Sequence, residues 1–385
     1  MKQALINNLT KIRHDLHTLA ETSNNEKKTS AYLTKTLKHT NPSNVLNNVG
    51  GHGLAVIYDG KESGPTILIR AELDALPIPE SVDLNYRSSD PLVSHKCGHD
   101  GHMAIACGVG LTLKENPLRK GRVVLLFQPA EETGEGAEQV LNDIKFKEIQ
   151  PDYIFALHNL PGFDAGEIII KEGVFASASR GLIIRLKGKT SHAGHPEDGI
   201  SPALAAASLI QGLTSLPSLY TTLHDASLIT IIHVRIGEIA FGTMPGQAEV
   251  MATLRAYREK DINIMAEKAL DLVKGISLAH GLKSETSWTE IFEANINAKS
   301  CVKIITEAAA INELKIRLIK NAFPWSEDFG RFTQKYDGAL FGIGSGKIHP
   351  QLHSSNYDFP DKILPVGVNI FNSIIDRIFK SEYKP

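Results

Sequence analysis

The sequence predicts an α/β protein: a domain built on a mixed, mostly parallel sheet flanked by helices, interrupted by an inserted two-layer α+β unit. Three observations predict it. Between residues 54 and 157, short β-branched runs alternate with helical stretches. Near residue 180 the pattern changes to strands that alternate as in an antiparallel sheet, and after about 290 the first style returns. At 385 residues the chain is also too long for one ordinary domain. The expected division is therefore discontinuous, with 1–179 and 291–385 forming one domain around an insert at 180–290.

Each element has its own signal. In 3–20 the apolar residues Ala4, Leu5, Leu9, Ile12, Leu16 and Leu19 mark one helical face, and 29–38 reads as a second helix. The Asn- and Gly-rich run 41–53 reads as a turn region. Leu54–Tyr58 and Thr66–Arg70 read as strands joined by the turn 59–65. Gly101–Leu113 reads as a helix, Arg122–Phe127 as a buried strand, 137–142 as a helix and Tyr153–Leu157 as another buried strand. In the insert, 181–186, 228–234 and 248–255 read as strands, and 202–213 and 261–280 as helices. Helix 299–311, strand 338–343 and a last helix after Val366 complete the chain.

Composition narrows the function classes. Hydrophobic residues make up 42% and charged residues 22%, the balance of a globular chain that buries a large core. Lys plus Arg total 41 against 43 for Asp plus Glu, so no excess of positive charge invites nucleic acid or an anionic membrane. Three irregularly spaced cysteines do not make a disulfide framework and fit a reducing compartment. The first residues carry no secretory pattern, and no segment is apolar over the roughly 20 residues that span a bilayer. The expected location is cytoplasmic.

Five clusters carry chemistry, four of them just past an expected strand end, where open α/β sheets place their crevice. In Arg70-Ala71-Glu72-Leu73-Asp74, two acids at i and i+2 point to one side if the strand continues. In Cys97-Gly98-His99, a thiolate and an imidazole are both ligands for zinc-like ions, and Gly98 allows a tight bend. In Pro129-Ala130-Glu131-Glu132, adjacent carboxylates at a strand exit are costly unless a cation neutralises them. His158 follows a buried strand, and His353 follows a Gly-rich loop. Each has a plainer reading: a solvated strand end, a buried Cys beside an N-capping Asp100, an acidic surface loop, a core histidine. Together they supply five N, S and O donors, enough for two metal ions sharing a bridging ligand. The insert adds His192 as a hydrogen-bond donor and Arg255 as a carboxylate clamp, against the plainer readings of a loop histidine and a surface charge.

These ordered motifs resemble the dinuclear metal-dependent aminoacylase/carboxypeptidase family, in particular its hippurate hydrolase and auxin-conjugate amidohydrolase branch. The resemblance runs from Arg13-His14-Asp15-Leu16-His17 through Cys97-Gly98-His99-Asp100, Pro129-Ala130-Glu131-Glu132, Leu157-His158, Gly188–His192 and Ser326-Glu327-Asp328-Phe329 to His353. It implies a metal-binding catalytic domain with an α+β lid, and two divalent ions drawn from zinc, manganese, cobalt or nickel. It implies Cys97 as the bridging ligand, His99 and His158 on one ion, and Glu132 and His353 on the other. Glu131 would be the general base, Asp74 the acid behind the site, His192 the donor to the scissile carbonyl and Arg255 the contact to a substrate carboxylate. A homodimer through the lid is implied by the same analogy.

Three positions depart from the family pattern. Glu72 stands where Asp is usual. Ala20-Glu21-Thr22-Ser23 replaces an early Pro-Glu-Leu-Gly, and Gly242 replaces an Asn associated with the substrate carboxylate. The expected function is amide hydrolysis of N-acyl amino acids. A dipeptidase or carboxypeptidase, and a catalytically silent metabolite-binding relative, are the alternatives.

Overall fold

The structure is a computed structural model that describes residues 2–222 and 224–380, so residues 381–385 of the expected outer domain lie outside the described residues. The chain divides into two compact units. Residues 2–175, 295–322 and 328–380 form the first, and 176–222, 224–294 and 323–327 the second. The short segment 323–327 thus belongs with the insert rather than with the chain on either side of it.

The first unit is built on an eight-stranded sheet. In spatial order its strands are Asn44–Val49, Gly53–Asp59, Lys120–Gln128, Glu62–Glu72, Tyr153–Pro161, Asp337–Gly346, Ile168–Ile170 and Ile316–Leu318. The four from Lys120–Gln128 to Asp337–Gly346 run parallel, and antiparallel pairs lie on both sides of them. Val123, Leu125, Phe127, Phe155 and Phe341 from these strands are buried with Leu9, Ile12 and Leu16 of the helix Gln3–Thr18. The helices His99–Glu115, Lys299–Ile311 and Leu364–Lys380 complete this core. His99–Glu115 is apolar nearly all round and almost wholly buried, as a helix without a polar face must be. In the parallel register Glu72 pairs with Gln128, and His158 with Gly342. The residues that end these parallel strands therefore share one edge of the sheet.

The second unit is a four-stranded antiparallel sheet in the order Ser227–Ile236, Gln247–Ala256, Ala178–Lys187, Lys283–Phe292. Two helices, Ala203–Tyr220 and Glu259–Ala279, complete it. Leu182, Ile184 and Leu186 alternate inward opposite Ala248, Val250, Ala252 and Leu254, the period-2 pattern of a sheet covered on one face.

Several strands are absent from the sequence reading, among them the short Ile168–Ile170 and Ile316–Leu318. Asn44–Val49 lies inside the run expected to be a turn; it pairs antiparallel with Gly53–Asp59, and its Asn-rich, half-exposed sequence carries no strand signal. Lys283–Phe292 is an exposed edge strand of polar residues, formed because Ala178–Lys187 offers it a backbone ladder. His158 lies within its strand rather than after it.

Candidate metal centre and active site

At the shared edge of the first unit's sheet, five donors converge. The ligand atoms of Cys97, His99 and His158 all lie within 4.8 Å of one another, and so do those of Cys97, Glu132 and His353. The two triads share the Cys97 sulfur. Cys97 Sγ is 3.5 Å from His158 Nε2, and His353 Nε2 is 3.7 Å from Glu132 Oε2. Two ligands of one tetrahedral ion lie roughly 3.5 Å apart, given bonds of about 2.0–2.3 Å. His99 Nε2 is buried and ends on no hydrogen bond. It lies 3.9 Å from Glu131 Oε2 and 3.8 Å from Glu132 Oε1. These separations are too long for hydrogen bonds, which leaves the nitrogen open to an ion.

Local backbone geometry makes the convergence possible. Gly98 has φ +89° and precedes the helix His99–Glu115; a Cβ there would meet the Asn159 side chain at 2.7 Å. Only glycine both adopts that turn and lets Asn159 approach. Ala130, at φ +50°, turns the chain after the strand Lys120–Gln128 so that Glu131 and Glu132 follow at the site.

Around the donors lies a shell of oriented groups. His99 Nδ1–H donates to the Asp74 carbonyl at 2.8 Å, leaving Nε2 to face the carboxylates. The Asp74 carboxylate accepts the Glu132 backbone N–H at 3.0 Å and the Ser23 hydroxyl at 2.7 Å. His158 Nδ1–H donates to the Asn159 carbonyl at 3.0 Å, so its Nε2 faces Cys97. Such outer contacts fix tautomer and ring orientation. Burial works against a charged His99, but Asp74, Glu72 and Glu132 together raise its pKa to about 10. The acids at this point hold a positive charge, and a divalent ion supplies one. His158, also buried and beside His102, is pushed down to about 3, which keeps its ring neutral as a ligand requires. The donor set fits metal.

Sequence reasoning misses His102, three residues after His99 and one helical turn away. It could be mistaken for a ligand because Glu72, His99 and His102 also lie within 4.8 Å. Its Nδ1 is tied to Glu72 Oε2 at 2.7 Å and its Nε2 to the Asn159 side chain, so neither nitrogen is available. Glu72 is in turn bound by Arg70, which reaches Gln128 at 2.9 Å and Asp328 at 2.6 Å. The expectation that Glu72 and Asp74 point the same way leads to two different histidines, His102 and His99. Asp100 is not the N-cap of the helix, which is Gly98; it lies in the first turn, buried against Arg13 at 3.3 Å and His17 at 2.8 Å.

His192 and Arg255 lie in the second unit. His192 is exposed, and its strand Ser191–His192 pairs with Thr243–Met244. Its Nδ1 accepts the Gly194 N–H at 3.0 Å, which puts the proton of the neutral ring on Nε2. Arg255 Nη1 donates to the Pro324 carbonyl at 3.1 Å and the Ser326 hydroxyl at 3.0 Å. Gly242 has no atom within 4 Å of where a Cβ would stand, and its carbonyl accepts the Ala193 N–H at 2.9 Å.

Comparison with known proteins identifies relatives along nearly the whole chain. The chain is 30% identical over 363 residues to an N-acetyldiaminopimelate deacetylase of Bacillus velezensis, covering 94% of this chain and 96% of that one. It is also 30% identical over 366 residues to an N-acetylcysteine deacetylase of Bacillus subtilis, covering 94% of each. Among solved structures it matches a dinuclear metal-binding peptidase of the M20 family from Bacillus subtilis. That match has TM-score 0.81 and 27% identity, and covers 97% of this chain and 98% of that one. A putative aminohydrolase from methicillin-resistant Staphylococcus aureus shares the fold at TM-score 0.87 and 23% identity, covering 99% and 100%. Residues 68–377 match the description of peptidase family M20/M25/M40, and with relatives at this identity along nearly the whole chain, the chain belongs to that family.

Proposed function

We infer that this enzyme is a metal-dependent amidohydrolase that cleaves the amide bond of N-acyl amino acids. The convergence of Cys97, His99, Glu132, His158 and His353 beside the Glu131 carboxylate carries the reading. The names of the deacetylase relatives support the substrate class. Cys97, His99, Glu132, His158 and His353 would hold the two ions, with Cys97 shared between the His99–His158 pair and the Glu132–His353 pair. The mixed thiolate, imidazole and carboxylate set admits zinc, manganese, cobalt or nickel.

Bound divalent ions supply a water of lowered pKa and polarise the carbonyl. The chain's own residues do the rest. Glu131 takes the proton of the attacking water and returns it to the leaving nitrogen. Asp74 holds His99 in the tautomer that leaves Nε2 free, and holds the Glu132 backbone. His192 donates its Nε2–H to the developing oxyanion. Arg255, oriented by Pro324 and Ser326, pairs with the substrate carboxylate.

The second unit serves as lid and dimerisation surface in this reading. Its edge strand Ser227–Ile236 exposes Ile232 at 60%, and the adjoining loop exposes Phe241 at 99%, a surface suited to a second copy. A cytoplasmic location is supported by three buried cysteines, none of them in a disulfide among the described residues. Among the described residues no helix is long and apolar enough to cross a membrane.

The test is turnover of a panel of N-acetyl amino acids against dipeptides with a free amino end, by zinc- or manganese-loaded protein. Faster cleavage of the acetylated compounds, lost in Glu131→Gln, supports the reading. Preference for dipeptides makes the chain a peptidase, and silence toward both with full metal loading makes it a binding protein.

A further inference from the structure

The segment Glu21–Glu26, where the family's early pattern is missing, lies directly behind the site. The Glu21 carbonyl accepts the Ala75 N–H at 2.8 Å. Ser23 donates to Asp74 at 2.7 Å, and Asn24 Nδ2 donates to Glu135 Oε2 at 2.8 Å. Glu26 is fully buried. Its Oε1 accepts the Asn24 N–H at 2.9 Å and the Ala130 N–H at 2.8 Å, while its Oε2 has no hydrogen-bond partner.

Ala130 stands at the far end of that contact. Its φ of +50° is unfavourable for any residue with a Cβ, so the surroundings must impose it. Glu26 takes the Ala130 N–H, and the Ala130 carbonyl accepts the Gly136 N–H at 2.9 Å, the Glu135 N–H at 3.3 Å and the Thr133 hydroxyl at 3.4 Å. The turn admits no slack on that side, since a Cβ at Gly136 would fall 1.6 Å from the Pro129 carbonyl oxygen. The next two residues are Glu131 and Glu132. A carboxyl group buried with one oxygen unpaired is costly, and burial raises the Glu26 pKa to about 7. The contact it makes is to the peptide that aims both site carboxylates.

We propose that Glu26 is a positioning residue for the Glu131–Glu132 pair: by capturing the Ala130 N–H it holds the left-handed turn that sets the direction of both carboxylates. The proposal rests on the reading of Glu131 as base and Glu132 as ligand. An acceptor oxygen is what the turn requires, and the negative charge is not. Glutamine therefore substitutes for Glu26 and alanine does not. Glycine at position 130 adopts the turn without help.

The experiment compares wild type, Glu26→Gln, Glu26→Ala and Glu26→Ala/Ala130→Gly, at a temperature where each is folded by circular dichroism. It reads kcat and KM on the best N-acetyl amino acid, and the rate of zinc release to a chelator. Glu26→Ala is expected to lower kcat by about 10- to 100-fold with KM within threefold, the scale of a carboxylate displaced by a fraction of an ångström. It is expected to release zinc at least tenfold faster. Glu26→Gln is expected to keep a third or more of wild-type kcat, and Ala130→Gly to restore kcat at least threefold in the alanine background. A Glu26→Ala kcat within threefold of wild type, or a Glu26→Gln as impaired as Glu26→Ala, overturns the proposal. If wild type cleaves no amide, the functional reading fails separately. The zinc-release rates of the same four proteins then decide this inference: faster release from Glu26→Ala than from Glu26→Gln sustains it, and equal rates end it.

Discussion

His99 Nε2 lies 3.8 Å from Glu132 Oε1, and among the described residues no hydrogen bond ends on that nitrogen. The two atoms face each other at a spacing too long for a hydrogen bond, as donors to neighbouring ions would. Stripping metal therefore leaves a raised-pKa imidazole among acids and removes the two ions that together tie four segments of chain. A chelator is expected to abolish turnover and to lower Tm. Ligand at 100 times its Kd stabilises by about 2.7 kcal/mol, so the shift is several degrees. Elemental analysis is expected to find two ions per wild-type chain and a loss in Cys97→Ala. An unchanged Tm with chelator, at full metal loss, counts against a structural share for the ions.

Glu131→Gln is expected to keep its metal and lose kcat by about 10²–10⁴-fold, the scale of a general base. KM is expected to stay near wild type, since the amide has the carboxylate's shape. Metal content and steady-state kinetics on one preparation separate this from Glu132→Ala, which is expected to bind less metal.

Asp74 holds two members of the site at once: its carbonyl takes the His99 Nδ1–H and its carboxylate the Glu132 N–H. Asp74→Asn presents an amide that can point its NH₂ at that same N–H. Weaker metal binding by about 10- to 100-fold is expected, the usual cost of losing a group that orients a ligand. Competition with a metal-sensitive dye measures it. An affinity equal to wild type makes Asp74 a bystander.

Gly98→Ala forces a Cβ into φ +89° and within 2.7 Å of the Asn159 side chain. The left-handed backbone alone costs roughly 1–2 kcal/mol, and displacing Asn159 disturbs its contacts to His102 and His158. A loss of about 2–4 kcal/mol in urea unfolding is expected, with impaired metal binding.

His17 sets a pH dependence of stability. Burial disfavours its charged form, but hydrogen bonds to Asp100 and Glu80 at 2.8 Å each overcome this and raise its pKa to about 9. The folded-state value lies above the unfolded value of about 6.5. The stabilisation is complete below pH ~6.5 and is lost as pH rises through about 9, by up to about 3 kcal/mol. Tm is expected to fall between pH 6.5 and 9 in wild type, and to fall less over that window in His17→Gln. Parallel curves for the two proteins rule His17 out as the source.

Much of this was legible in the chain. Cys97, His99, Glu132, His158 and His353 are metal-binding residue types in short motifs that stand out together in the sequence. The buried strands Lys120–Gln128 and Tyr153–Pro161 announce themselves by unbroken β-branched and apolar runs. Asn44–Val49 and Lys283–Phe292 do not, because a partner's free edge, rather than their own side chains, makes them strands.

Residue types and their order thus determined the fold class and marked out the candidate donors, since ligand chemistry and hydrophobic period are local properties of a sequence. Pairing across the chain was decided only by tertiary structure. Nothing near Glu26 in sequence points to Ala130, 104 residues away, and nothing near Arg70 points to Asp328, 258 residues away. Those contacts exist because the packed sheet brings strand ends and loops to one edge. Burial there removes water, so each remaining polar group must find its partner in the chain.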